Sequence, residues 1–267
     1  MEGELRYERF EGSNGGSPAV ETRGLEKAFG SLRILQGVDL QIPDGARATI
    51  MGPSGTGKSV LIKHIVGLLQ ADDGDVLVHG RALGKMSRKE ILALRREVGI
   101  MFQDGALFSS MNVFDNVAFP LRQHTTLKDN EVREIVEEQL EGVGLLDAAG
   151  RYPPQLSGGM KKRAGLARSM VLNPNVILCD EPDSGLDPVR TSLLGDLLID
   201  RHEAIGGTMI VITHNIALAR LFSQYVAVLW RGKVVASGPA EEMWNSDDPF
   251  VRQFLEGFPY GPLGMDA

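Results

Sequence analysis

The sequence predicts an α/β fold with a helical insertion. Three observations carry that expectation: short apolar runs closed by turn residues, segments with apolar residues at helical spacing, and one glycine-rich octapeptide set between a strand and a helix. The composition allows it. Of 267 residues, 43% are hydrophobic and 24% charged, ordinary for a folded chain and enough for one large domain or two small ones.

Residues 1–18 are expected to form a flexible tail, because Gly12, Ser13, Asn14, Gly15, Gly16 and Ser17 offer nothing to a core. Strands are expected at 34–42 ahead of Pro43-Asp44-Gly45, at 46–51 ahead of the octapeptide, and at 76–80 after Asp72-Asp73-Gly74. A helix is expected over 60–69. Ser87-Arg88-Lys89-Glu90 has the form of a capping box, with Ile91, Leu94 and Val98 on one face of the helix it starts. Val132, Ile135, Val136, Leu140 and Val143 repeat the helical spacing, so about 104–165 should be mainly helical. Residues 176–179 and 208–213 read as buried parallel strands. Between them a helix should start at Asp187-Pro188, with Asp at the N-cap and Pro first inside. Residues 225–230 and 233–237 flank Arg231-Gly232 as a hairpin.

Charge and cysteine content exclude several classes. With 28 Lys+Arg against 35 Asp+Glu the net charge is −7, which argues against nucleic-acid binding, since phosphate neutralisation needs a basic field. The single cysteine, Cys179, makes no internal disulfide and sits in a strand as a small core residue. The acidic, Gly-rich N-terminus is not a secretory signal. The apolar runs at 60–69 and 225–230 are too short or too charged to span a membrane, so a soluble cytoplasmic chain is expected.

Gly52-Pro53-Ser54-Gly55-Thr56-Gly57-Lys58-Ser59 fits G-x-x-x-x-G-K-[ST]. Glycines let the backbone wrap a phosphate so that its N–H groups converge, and the following helix adds the positive end of its dipole. Lys58 would reach the β- and γ-phosphates, and Ser59 would ligate Mg²⁺. The second feature is the apolar strand 176–179 followed by Asp180 and Glu181. Asp180 at the strand end suits Mg²⁺, and Glu181, one residue on, suits polarising a water for in-line attack. Phe29, Gln103 and His214, taken alone, would be a core aromatic, a surface amide and a structural histidine.

Leu156-Ser157-Gly158-Gly159-Met160 resembles the signature sequence of ABC-transporter ATPases. Around it the chain resembles that family from about residue 20 to 240. Phe29 in Lys27-Ala28-Phe29-Gly30 stands at the adenine-stacking aromatic, Gln103 at the Q-loop, Ser184-Gly185-Leu186-Asp187 at the D-loop and His214 at the switch histidine. The resemblance implies a P-loop NTPase fold with a RecA-like parallel core, an antiparallel β subdomain and the helical subdomain near 104–165. It implies ATP contacts from Phe29, from Gly52 through Ser59 and Val60, and, across a head-to-tail homodimer, from Ser157, Gly158, Gly159 and Asp187. It also implies Mg²⁺ ligation by Ser59, Gln103 and Asp180, and catalysis by Glu181, His214 and Gln103. Lys161, Lys162 and Arg163 follow the signature, where positive charge opposes the helix dipole. They read as a solvated face, or as neighbours of a bound polyphosphate.

Met160 in place of the usual glutamine, together with the run Phe102-Gln103-Asp104-Gly105-Ala106-Leu107-Phe108, resembles the ATPase of Mla/Mce-type lipid transporters, especially the actinobacterial Mce-associated ATPase. That implies a peripheral subunit at the cytoplasmic face of the inner membrane, partnered by permease subunits and Mce lipid-binding proteins. Coupling would use Phe102, Leu107, Phe108 and Met111, and the extension 248–267, rich in apolar residues, is expected to reach the opposite subunit. The alternatives are an importer ATPase for another solute and a soluble non-transport ABC ATPase. The second would need a coiled coil or a doubled domain, neither of which the sequence carries.

Overall fold

The computed structural model describes residues 16–258 and 260–262. The tail expected at 1–18 lies outside them, apart from Gly16, Ser17 and Pro18. The chain runs β1 (Val20–Phe29), β2 (Leu32–Ile42), β3 (Arg47–Met51), α1 (Lys58–Ile65), β4 (Asp73–Val78), β5 (Arg81–Ala82), α2 (Arg88–Glu97) and β6 (Val98–Met101). Next come α3 (Val113–His124), α4 (Asp129–Gly142), α5 (Gly158–Met170), β7 (Val176–Asp180), α6 (Pro188–Ile205) and β8 (Thr208–Thr213). It closes with α7 (Ile216–Phe222), β9 (Tyr225–Trp230), β10 (Lys233–Pro239), α8 (Ala240–Trp244) and α9 (Pro249–Glu256). Two compact units divide it: Met1–Ser87 with Ile212–Ala267, and Arg88–Val211.

In the first unit, β2, β1, β4 and β5 form an antiparallel sheet in that order. Val38, Leu40 and Ile42 alternate inward along β2, as a strand with one buried face requires. β3 is buried on both faces and pairs in parallel with β9, Ala48 opposite Tyr225 and Met51 opposite Val228. β9 turns into β10 through Arg231 and Gly232, both at positive φ (45° and 75°), the two-residue hairpin geometry that matches strand twist. α1 stops at Ile65, short of the expected 69. Gly67 takes φ 64°, its N–H meets His64 O at 2.9 Å, and the Leu68 N–H meets Lys63 O at 2.8 Å, which closes the helix on its last carbonyls. α9 folds back locally: Val251 and Leu255 join Met51, Val226, Val228 and Met243 in one buried cluster. Phe258 and Tyr260 beyond it remain exposed, Tyr260 to 83%.

In the second unit β6 and β7 run parallel, Val98 opposite Val176 and Met101 opposite Cys179, and the sheet continues into β8. Val98, expected on the α2 face, instead opens β6. Cys179 is fully buried, and desolvation pushes its thiol up to about 12, so it is packing rather than a nucleophile. Residues 104–112 form a turn rather than helix. The buried Asn116 of α3 holds that turn: its amide donates to Phe108 O at 3.1 Å and Met111 O at 3.0 Å, and its Oδ1 accepts the Phe108 N–H at 2.7 Å. Among the described residues no helix is long and apolar enough to cross a membrane.

Candidate active site

In the first unit the octapeptide links the end of β3 to the start of α1. Gly57 is the N-cap of α1 at φ 101°, and a Cβ there would stand 2.8 Å from Leu35 Cδ2, so both backbone and space demand glycine. The loop closes on itself. Thr56 Oγ1 donates to Pro53 O at 3.0 Å, and the buried Lys58 ammonium donates to Gly52 O and Pro53 O, each at 2.7 Å. Ser54, Gly55 and Ser59 are exposed, and Val60 is half-buried. With no acidic side chain in the first turn of α1, its dipole and amides remain suited to an anion.

Phe29, at the end of β1, is 49% exposed, which rules out the core reading. Lys27 stands behind it, Nζ 5.6 Å from the ring centroid, fixed by Asp72 Oδ1 at 2.6 Å and Gln70 O at 3.0 Å. That ammonium, with the Ala28 N–H, holds the Asp72 carboxyl below the ordinary carboxylate range. His214 is exposed directly after β8, where Asn215 caps α7 by accepting the Leu218 N–H at 3.2 Å.

In the second unit Asp180 ends β7 and is buried. Glu181 follows at φ 46°, left-handed backbone that costs a non-glycine residue about 1–2 kcal/mol. The loop is then pinned by Ser184 N to Glu181 O (3.2 Å) and Leu186 N to Asp183 O (3.0 Å). Asp187 caps α6 as expected, accepting the Arg190 N–H at 3.0 Å; this bond, with the Arg190 charge, lowers its pKa. Ser157 caps α5, its Oγ accepting the Met160 N–H at 3.3 Å, and Ser157 and Gly158 are exposed at the helix start. Half-buried Met160 lines a cavity of about 610 Å³ together with Leu186, Leu193 and Leu197 and with the cationic Arg163 and Arg190.

Gln103 is exposed at the start of the 104–112 turn. That turn is gripped from α5: Arg168 donates to Gly105 O at 2.8 Å and to Ala106 O at 2.9 Å. Its guanidinium lies 5.7 Å from the ring centroid of Phe108, which packs tilted on Phe119 at 4.9 Å. Phe108 stays 43% exposed, and Phe102, Leu107 and Met111 are half-buried.

Lys162 and Arg163 of the basic triplet after the signature depart from the solvated-face reading, and Lys161 is half-buried. Lys162 is buried to 6% exposure, its ammonium donating to Ser184 O and, at 2.9 Å, to Ser184 Oγ. Arg163 donates to Val143 O at 2.9 Å and Gly144 O at 3.2 Å. A signal for Lys162 existed: it shares a helical face with the buried Leu166 and Ser169, four and seven residues on.

A glycine-rich loop between a buried parallel strand and a helix, and in the second unit a strand ending in two carboxylates, define the class of P-loop nucleotide-binding proteins. The comparisons then fix the family. The sequence matches the ABC transporter family over residues 35–184. It is 50% identical over 247 residues to the probable ribonucleotide transport ATP-binding protein mkl of Mycobacterium leprae, covering 92% of this chain and 71% of that one. It is 40% identical over 244 residues to MlaF, the intermembrane phospholipid transport system ATP-binding protein of Escherichia coli K12, covering 91% of each. Among solved structures, the dimeric ATP-binding cassette MJ0796 with ADP and Pi superposes with TM-score 0.76 at 30% identity, over 82% of this chain and 98% of that one. CbiO1 of Clostridium perfringens, part of the cbiONQ transporter complex, gives TM-score 0.78 at 30% identity, over 90% and 95%. This chain belongs to the ABC transporter family, as one of its ATP-binding, ATP-hydrolysing cassettes.

Proposed function

We propose that this chain powers Mla/Mce-type lipid transport across the cell envelope, closing as a homodimer on ATP and reopening after hydrolysis. The observation that carries the lipid reading is the 40% identity to MlaF over 91% of both chains, with Ser157-Gly158-Gly159-Met160 as the signature.

In the first unit, the loop amides from Gly52 to Val60 and the Lys58 ammonium bind the triphosphate, and Phe29 stacks on adenine. Lys58 is held at the loop by two carbonyls and so is pre-oriented for that role. His214 contacts the γ-phosphate. In the second unit, the Glu181 carboxylate accepts the proton of the attacking water. Ser157, Gly158, Gly159 and Asp187 serve the nucleotide of the other copy, which makes dimerisation part of catalysis. Toward Mg²⁺, the first unit offers the Ser59 hydroxyl and the second the Asp180 carboxylate and the Gln103 amide, each a hard oxygen donor of the kind that ion takes. When bound, it neutralises charge on the β- and γ-phosphates.

The partners we assign are two permease subunits and Mce-family lipid-binding proteins, with this chain peripheral at the cytoplasmic membrane face and without a nucleic-acid role. The exposed ring of Phe108 supports a permease contact, and exposed Phe258 and Tyr260 support contact of the C-terminal extension with the second copy. A second reading, ribonucleotide transport, comes from the name of the 50% identical relative. Affinity isolation from native membranes in mild detergent, with mass spectrometry of companions, separates the two. Permeases with Mce proteins are expected; a permease with a solute-binding protein would overturn the lipid reading and leave the ATPase intact.

A further inference from the structure

Lys162 is the least expected residue of the second unit. Five residues after the Ser157 cap of α5, it buries an ammonium at 6% exposure, which a protein tolerates only with strong partners. The partners belong to one residue of the loop between β7 and α6: the Ser184 carbonyl and the Ser184 hydroxyl, the latter at 2.9 Å. Gripping both the main chain and the side chain fixes the loop position and the Ser184 rotamer together. Ser184 lies three residues after Glu181 and three before Asp187, and its own N–H returns to Glu181 O at 3.2 Å. The same ammonium sits in the field of three carboxylates, Asp183, Asp104 beside Gln103, and Glu181. Burial lowers its pKa, and those carboxylates act against that shift.

We propose that Lys162 is a positioning residue for ATP hydrolysis: it clamps the Glu181–Asp187 loop to the signature helix, so that the general base and the residues offered to the second nucleotide move as one piece. A compact ammonium with three donors suits this task, whereas a planar guanidinium is larger and forks its donors. The inference rests on the reading of Glu181 as general base and of Ser157 as a nucleotide contact. It assigns Lys162 no contact with ATP.

The test uses the full chain at saturating Mg-ATP, with Lys162→Met, Lys162→Arg, Ser184→Ala and the double variant Lys162→Met/Ser184→Ala. We expect Lys162→Met to lower kcat on the order of tenfold or more while the KM for ATP changes less than about threefold, because misplacement of a catalytic group acts on turnover. Lys162→Arg should recover part of that loss. Ser184→Ala should lower kcat in the wild-type background and add nothing to Lys162→Met, since both remove one clamp. Wild-type kcat in folded Lys162→Met, or losses that multiply in the double variant, would overturn the proposal. If Lys162→Met does not fold, the neutral and shorter Lys162→Gln takes its place: lowered kcat at unchanged KM supports the clamp, and unchanged kcat removes it. Glu181→Gln run in parallel keeps the two levels apart. Turnover by Glu181→Gln at the normal rate would sink the general-base reading, while an inactive Glu181→Gln beside a normal Lys162→Met would sink the clamp alone.

Discussion

Arg168 of α5 donates to the Gly105 carbonyl at 2.8 Å, tying the last turn of that helix to the turn that follows Gln103. A second bond to Ala106 O at 2.9 Å makes the grip bidentate, and burial lowers the pKa of the guanidinium. Replacing it by Met leaves two carbonyls short of a charged donor. Arg168→Met should therefore destabilise the protein by about 2–3 kcal/mol, read as a melting temperature several degrees lower. An unchanged melt would mean that water replaces the guanidinium without loss.

The same turn approaches α5 at Gly165. A Cβ on Gly165 would stand 2.7 Å from Gly105 Cα and 3.0 Å from Gly105 O, both backbone atoms that cannot swing aside. Gly165→Ala should cost about 1–3 kcal/mol by overpacking, in spite of the better helix propensity of alanine. Denaturant melts of the two proteins measure the difference directly. A stabilised variant would contradict the close approach.

For nucleotide binding, Lys58→Ala removes the ammonium that Gly52 and Pro53 hold at the loop. Calorimetry should show ATP affinity weakened ~100-fold, the scale for losing a well-placed charge partner. Near-normal affinity would reassign the phosphate contact to the backbone amides.

Glu181→Gln keeps the shape of the side chain and loses its basicity. ATP binding should persist while turnover falls on the order of 100-fold or more, leaving an ATP-trapped dimer visible by size-exclusion chromatography with light scattering. Hydrolysis at the normal rate would be incompatible with Glu181 as the base.

His64 supplies a pH dependence. It is buried in α1, its Nδ1–H donating to Val60 O at 2.8 Å, and burial lowers its pKa from the ordinary 6.5. The unfolded chain therefore takes up a proton before the folded one does. Stability is complete above the ordinary value and declines as pH falls below it, until the lower folded value is reached. Melting temperatures taken across that range should fall less steeply in His64→Gln than in the wild type. Parallel slopes would place the acid sensitivity elsewhere.

Much of this protein was legible along the chain, for a physical reason. The octapeptide at 52–59, the strand ending at Asp180-Glu181, the Asp187-Pro188 helix start and the Arg231-Gly232 hairpin each depend on residues adjacent in sequence. Glycine conformations, caps and short apolar runs are local properties, so the residue types alone determined them. What only the tertiary structure decided joins residues far apart. Lys162 reaches Ser184 twenty-two positions on, Arg168 reaches Gly105 sixty-three positions back, and Asn116 turns inward to hold a segment that the helical spacing had marked as helix. Each of these side chains is polar and would face water by composition. Each is buried or half-buried because folding brings it a specific carbonyl or hydroxyl, and desolvation makes that partner obligatory.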